Sequence, residues 1–133
     1  SKFRRNYMSY ENMATIKETI DGVEWSVNPF PATKGISYLK RLFKVFGESY
    51  AALTTAESEE AALQLAVSKL LENLDKDDVV DLVKCLLADV YKDGQKINFD
   101  SEFARRYGLL FKVTKFVVKE NFSDFFTGNA ISV

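Results

Sequence analysis

The chain of 133 residues contains no histidine and a single cysteine, Cys85. The lack of histidine removes the side chain that acts most often as a general base and as a ligand for transition metals. One cysteine cannot form a disulfide within the chain, so folding does not require an oxidising compartment. Because Cys85 lies in an apolar helical pattern without a histidine to activate it, the sequence indicates a core position rather than a nucleophile.

The chain also lacks an excess of either charge and any long apolar run. It has 18 Lys and Arg against 19 Asp and Glu, for a net charge of −1. Such a balance provides no global attraction to nucleic acid or to an anionic membrane. No apolar run approaches the roughly 20 residues of a membrane-spanning helix, and no signal peptide is recognisable. We therefore expect no nucleic-acid or membrane partner and a location in the cytosol of the cell in which the protein is made.

Motifs that carry catalytic or metal chemistry are lacking as well. The sequence has no glycine-rich phosphate loop. Asp75, Asp77, Asp78 and Asp81 form an acidic cluster, but it lacks the ligand alternation and central glycine of a calcium loop. Acidic residues are favoured at the start of a helix in any case. We expect no catalytic residue, no metal site and no cofactor, and hence a protein that is not an enzyme.

The first regular structure present is a predicted β-hairpin over residues 14–28. Asp21 and Gly22 separate two runs rich in β-branched residues, and Asp-Gly favours the two-residue turn that joins antiparallel strands. Val23, Trp25 and Val27 would share one face of the second strand. A two-stranded hairpin is only marginally stable alone, so we expect this face to pack on helices.

Helical periodicity dominates after the prolines at positions 29 and 31. The spacing of apolar residues predicts one helix from Thr33 to Phe46, ended by Gly47, and a second that begins at Ser58. The segment from Leu74 to Asp78 ends the second helix and opens a third, which apolar residues from Val79 to Val90 fill. The second and third helices would pair in an antiparallel arrangement. Asp93-Gly94 then predicts a tight turn or a minimal hairpin between helices.

The last long apolar segment runs from Asn98 to Phe126 and predicts one continuous amphipathic helix. Its apolar residues recur at steps of three and four, which places them on one helix face: Phe99, Phe103, Tyr107, Leu110, Phe111, Thr114, Val117 and Val118. Asp100 or Ser101 would cap its start. So large an apolar face requires a partner surface, which the preceding elements would supply.

The predicted fold is mainly α, a helical bundle of about four to five helices with an N-terminal β-hairpin. We expect a single globular domain over residues 14–128, with residues 33–126 helical. Residues 1–13 are predicted to form a flexible tail, and residues 129–133 a frayed end.

Aromatic residues are the most informative feature for function, with 11 Phe, 6 Tyr and 1 Trp. Phe122, Phe125 and Phe126 come after the long apolar stripe, where a short terminal turn buries side chains poorly. They either complete the core or form a surface that binds a protein partner. Together with Phe43 and Phe46 of the first helix, they are our predicted partner-binding residues.

The order of elements resembles the tail assembly chaperones of long-tailed bacteriophages over about residues 14–126. The resemblance rests on the Asp-Gly hairpin, on Pro31-Ala32-Thr33-Lys34-Gly35-Ile36 at the first helix, and on the segment from Phe99-Asp100-Ser101-Glu102-Phe103 through Asn121-Phe122. It implies a small, mostly helical cytoplasmic protein. Such a protein binds the tape-measure protein while the tail tube forms around it, and it is absent from the finished virion.

Two other functions stay open on the sequence alone. One is a structural component of the tail or baseplate, and the other is a bacterial helical adaptor protein. In each case the partner is another protein, such as a phage tail protein, and self-association into a homo-oligomer stays open too. A groove between helices could hold the amphipathic helices of such a partner.

The partner-binding hypothesis makes a prediction for the triple substitution of Phe122, Phe125 and Phe126 by Ala. If these rings form a binding surface, the variant should stay folded by circular dichroism and lose partner binding in a pull-down. An unfolded variant would show instead that the rings belong to the core.

Overall fold

A computed structural model of the chain describes residues 15–126, which form a small antiparallel sheet packed against helices. In chain order the elements are β1 (Ile16–Ile20), β2 (Val23–Val27), α1 (Ala32–Phe46), α2 (Tyr50–Thr54), α3 (Glu59–Glu72), α4 (Asp77–Leu86), β3 (Val90–Lys92), β4 (Gln95–Lys96), α5 (Phe99–Phe103) and α6 (Tyr107–Phe126). A 3-10 turn (Gly47–Ser49) joins α1 to α2. The predicted fold class, mainly α with an N-terminal hairpin, is confirmed. The predicted tail and frayed end lie outside the described residues.

Both Asp-Gly pairs form the turns of β-hairpins. Asp21 and Gly22 have φ of 52° and 80°, and Asp93 and Gly94 have φ of 49° and 81°, as a two-residue turn between twisted strands requires. The hairpin predicted at the first pair is confirmed, and the second pair forms a minimal hairpin rather than a simple turn.

The two hairpins join into one sheet, which the sequence did not predict. β2 pairs antiparallel with β3, and the strand order is β1-β2-β3-β4. The span 33–126, expected to be helical, therefore also contains two strands. Trp25 is 1% exposed between this sheet and the helices, and its ring stacks on Phe103 at a centroid distance of 6.3 Å.

α1 begins and ends close to its predicted limits, and α3 begins directly after Ser58, but α4 ends at Leu86, and Val90, predicted to lie in that helix, is in β3. The Ser58 side chain accepts a hydrogen bond from the backbone N–H of Ala61 at 3.1 Å, as expected of a residue that caps a helix. Gly47 follows α1 with φ of 49° and ψ of −124°, and its N–H donates to the carbonyl of Phe43. Ile36, an apolar residue of the second turn of α1, is 55% exposed.

The prediction of one continuous helix from Asn98 to Phe126 is wrong. The chain leaves the helix after Phe103, and Arg105 has φ of 62°. Tyr107 then starts α6 with its side chain 70% exposed, so it does not belong to the apolar stripe. The cap of α5 is also not the predicted one, because the Asn98 side chain accepts the hydrogen bond from Ser101 N–H.

Contacts between α5 and the sheet explain this break. Glu102 is paired with Lys92 of β3 at 3.0 Å and with Arg106 at 2.9 Å, and its side chain is 15% exposed. Phe103 packs on Trp25 of β2. Because these contacts hold α5 on the sheet, the chain must change direction before α6 can cross the helices.

The core lies where α6 crosses the other elements. α6 contacts α3, α4 and β1. Val113, Phe116 and Val117 in its middle are at most 1% exposed. Among residues 15–126 no helix is both long and apolar enough to cross a membrane.

We predict that alanine substitutions at two glycines change the free energy of unfolding in opposite directions. A Cβ at Gly47 or at Gly108 would have no heavy atom within 4 Å, so the backbone alone decides the outcome. Gly47→Ala should lower the free energy of unfolding by about 1–3 kcal/mol because Ala is strained at positive φ. Gly108→Ala, in the first turn of α6, should raise it by up to about 1 kcal/mol. Urea denaturation measures both, and equal effects would contradict the conformation at Gly47.

Candidate protein-binding surface

Three aromatic rings form a cluster at one end of the helices. Phe43 of α1, Tyr50 of α2 and Phe125 of α6 are each partly buried, and we call them the aromatic cluster. The ring of Phe43 lies 5.3 Å from that of Tyr50 and 5.0 Å from that of Phe125, both edge to face, and Tyr50 lies 5.9 Å from Phe125. Edge-to-face packing fixes such rings relative to one another while part of their apolar surface stays in contact with solvent.

The last turn of α6 is held in place by Asn121. Its side-chain oxygen accepts a hydrogen bond from the backbone N–H of Phe30 at 2.8 Å, and its side-chain amide donates to the carbonyl of Val117 at 3.0 Å. Directly after it, Phe122 has a non-helical φ of −131°, which kinks the helix. The kink and the bond to Phe30 determine where Phe125 lies.

The five predicted partner-binding residues divide into two groups. Phe46 is 2% exposed, and Phe122 and Phe126 are each 7% exposed, so all three belong to the core. Phe43 and Phe125 are partly buried and touch each other in the aromatic cluster. Of the two alternatives left open for Phe122 and Phe126, completion of the core is the one observed: the kink at Phe122 turns both rings onto the helices, and Phe122 packs at 6.1 Å from Phe30.

Tyr50 is the member of the cluster that was not predicted. The helix that contains it is five residues long, which is too short for a clear helical periodicity in the sequence. Its sequence signal was its spacing to Leu53, three positions later, which places both side chains on one face of a helical turn. Leu53 is 6% exposed.

A comparison with family models identifies the family of the chain. The family described as "Phage tail assembly chaperone protein, TAC" matches residues 21–131. The chain belongs to this family of phage tail assembly chaperones. No curated protein and no solved structure matches the chain. The resemblance noted from the sequence is confirmed by the family match.

Three residues of the chaperone's acidic cluster, Asp77, Asp78 and Asp81, have a structural role. Asp77 and Asp78 lie in the first turn of α4, where their charge faces the positive end of the helix dipole. Asp81 accepts a hydrogen bond from the Arg41 guanidinium of α1 at 3.0 Å, which ties α4 to α1. Within residues 15–126 no group of three or more acidic or Cys side chains is arranged to hold a metal ion.

Cys85 lies half-buried beside the same arginine. Its Sγ is 3.9 Å from Arg41 Nη1 and 3.9 Å from an Asp81 carboxylate oxygen. Burial acts to lower the pKa of the Arg41 guanidinium, but the bonds to Asp81 and Cys85 outweigh burial and raise the pKa. The Arg41 guanidinium stays charged. Its Nη2 also donates a hydrogen bond to the backbone carbonyl of Asp78 at 3.2 Å.

Single substitutions should separate the buried rings from the aromatic cluster. Phe122→Ala or Phe126→Ala should each lower the free energy of unfolding by about 3–5 kcal/mol, because each empties a core position. Phe125→Ala should cost less, about 1–2 kcal/mol, since its ring is already partly in solvent. Urea unfolding followed by circular dichroism measures all three. Equal losses for Phe125 and Phe126 would mean that Phe125 is core as well.

Proposed function

We propose that this chain binds the tape-measure protein of its phage, or another tail protein, while the tail is assembled in the host cytoplasm. It would act by binding apolar helical segments, without catalysis and without a cofactor. The observation that carries the proposal is the family match over residues 21–131. Phe43 and Phe125 of the aromatic cluster supply the surface.

The physical support comes from what the aromatic cluster offers to a helix. Partly buried rings bind an apolar side chain at a small cost in conformational entropy, because the packing between the rings already restricts them. Aromatic residues are also frequent among the side chains that dominate binding energy at protein interfaces. A groove that contains such rings suits the mode in which an amphipathic helix lays its apolar face into a partner.

The test is co-expression with the tape-measure protein of the same phage, followed by a solubility assay and a pull-down. With the wild-type chain, the tape-measure protein should become soluble and co-purify. The double variant Phe43→Ala/Phe125→Ala should weaken retention by about tenfold or more, as loss of central aromatic contacts does at other interfaces. The matched control is Tyr107→Ala, which removes a 70%-exposed aromatic ring from the start of α6 and should leave retention unchanged.

The outcomes separate the proposal from a role as a structural component. A tape-measure protein that stays insoluble and does not co-purify would contradict the proposal. Mass spectrometry of purified particles is the second measurement. If the chain is an assembly chaperone, it should be absent from the virion. Its retention there in stoichiometric amounts would favour a tail or baseplate component.

A further inference from the structure

The short helix α2 packs on α3 and on the aromatic rings of α1 and α6. It has five residues, and its capping residue Ser49 makes no side-chain hydrogen bond to it. Isolated helices need about 12–15 residues to be even marginally stable in water. The position of α2 therefore depends on the side chains that attach it to the other helices.

Two side chains provide that attachment. Tyr50 packs its ring on Phe43 and Phe125, and Leu53 is the buried residue of α2. Ala51 and Ala52 between them are exposed. α2 is thus one amphipathic turn with an aromatic and an aliphatic anchor three positions apart. It covers Phe43 of α1, Phe125 of α6 and the side of α3, and we call the surface beneath it the α2 groove.

The framework around this groove does not depend on α2. α1 packs directly on α3 and on α4, and α6 packs directly on the same two helices. The chain enters the 3-10 turn before α2 through Gly47, whose positive φ sets α2 apart from the axis of α1. Removing α2 from the groove would break the contacts of Tyr50 and Leu53 and leave the contacts among the four longer helices in place.

We propose that α2 occupies, in the free protein, the groove that takes a helix of the client, so that α2 and the client compete for it. The client helix would be amphipathic and carry an aromatic and an aliphatic residue three positions apart, as α2 does. As regards the client, this inference rests on the proposed function. The groove cannot hold both helices, because Phe43 and Phe125 already contact Tyr50.

If α2 competes with the client, removing the side chains that anchor α2 should raise the affinity for the client. If those side chains contacted the client, removing them should lower it. A client that binds only the open groove has its apparent affinity reduced by the fraction of molecules in which the groove is open. Weakening the anchors of α2 increases that fraction and should strengthen binding. If Tyr50 and Leu53 instead belonged to the client-binding surface, removing them would weaken it.

The first experiment uses a probe copied from α2. It is a fluorescein-labelled peptide of residues 47–57, held helical by a side-chain staple between positions 51 and 55, which are exposed in the protein. The peptide is titrated into the wild type and into the full-length double variant Tyr50→Ser/Leu53→Ser. The matched control is Ala51→Ser/Ala52→Ser, on the exposed side of the same helix.

The double variant should bind the peptide at least about tenfold more tightly than the wild type and the control do. Adding Phe125→Ala to the double variant should weaken binding again, which places the peptide in the α2 groove. Equal binding by the double variant and the wild type would overturn the proposal. Binding that does not respond to Phe125→Ala would overturn it too.

A second experiment repeats the comparison with the tape-measure protein in the co-expression assay. Stronger retention by the double variant supports competition with the client itself. Equal retention by wild type and double variant overturns the inference and leaves the proposed function standing. If the peptide behaves as expected and neither chain retains the tape-measure protein, the groove and its competition with α2 stand while the proposed function fails.

Hydrogen exchange on the wild-type chain covers the case in which the double variant does not fold. At a saturating concentration of the stapled peptide, the amides of residues 50–55 should exchange faster, because α2 has been displaced. The amides at the end of α6 should exchange more slowly. Unchanged exchange in α2 with the peptide bound would overturn the proposal.

Discussion

The fold depends on the burial of α6 against three other elements at once. Its central residues Val113, Phe116 and Val117 are almost completely removed from solvent. Burying an apolar side chain of this size is worth about 1.5–3 kcal/mol relative to leaving it in water. Since α6 contacts α3, α4 and β1, this one helix joins the sheet to the helical layer. At the exposed side of α6, Lys112 forms an ion pair with Asp21 of the β1–β2 turn, and Lys115 forms one with Glu60 of α3.

The kink at the end of α6 decides which of its last aromatic rings are buried and which are available to a partner. A straight helix would project its last aromatic residues in directions set by the helical repeat alone. The kink at Phe122 and the Asn121 bond to Phe30 instead return two rings to the core and leave Phe125 against Phe43 and Tyr50. A surface placed in this way is partly ordered before a partner arrives, which lowers the entropic cost of binding. It is also a surface on which a short, weakly held helix can rest.

Local chemistry explains which features could be predicted. The Asp-Gly turns need positive φ at both residues, and the Ser58 cap needs only an N–H three residues along the chain. The break before α6 could not be predicted in this way. Its causes are the pairing of Glu102 with Lys92 and the stacking of Phe103 on Trp25, and Trp25 lies far away in the sequence. The sequence left the burial of Phe122 and Phe126 open for the same reason, because it depends on a kink stabilised by a residue of the β2–α1 connection.

The sequence by itself determined the mainly α class, the first hairpin, the limits of α1, the start of α3, and the family to which the chain belongs. Each of these follows from side chains close to one another along the chain or from a pattern that runs through most of it. Only the tertiary structure decided that two hairpins share a sheet, that α5 and α6 are separate, and that Tyr50 completes the aromatic cluster. Those outcomes depend on contacts between residues distant in sequence, whose free energy is gained only once the chain has folded.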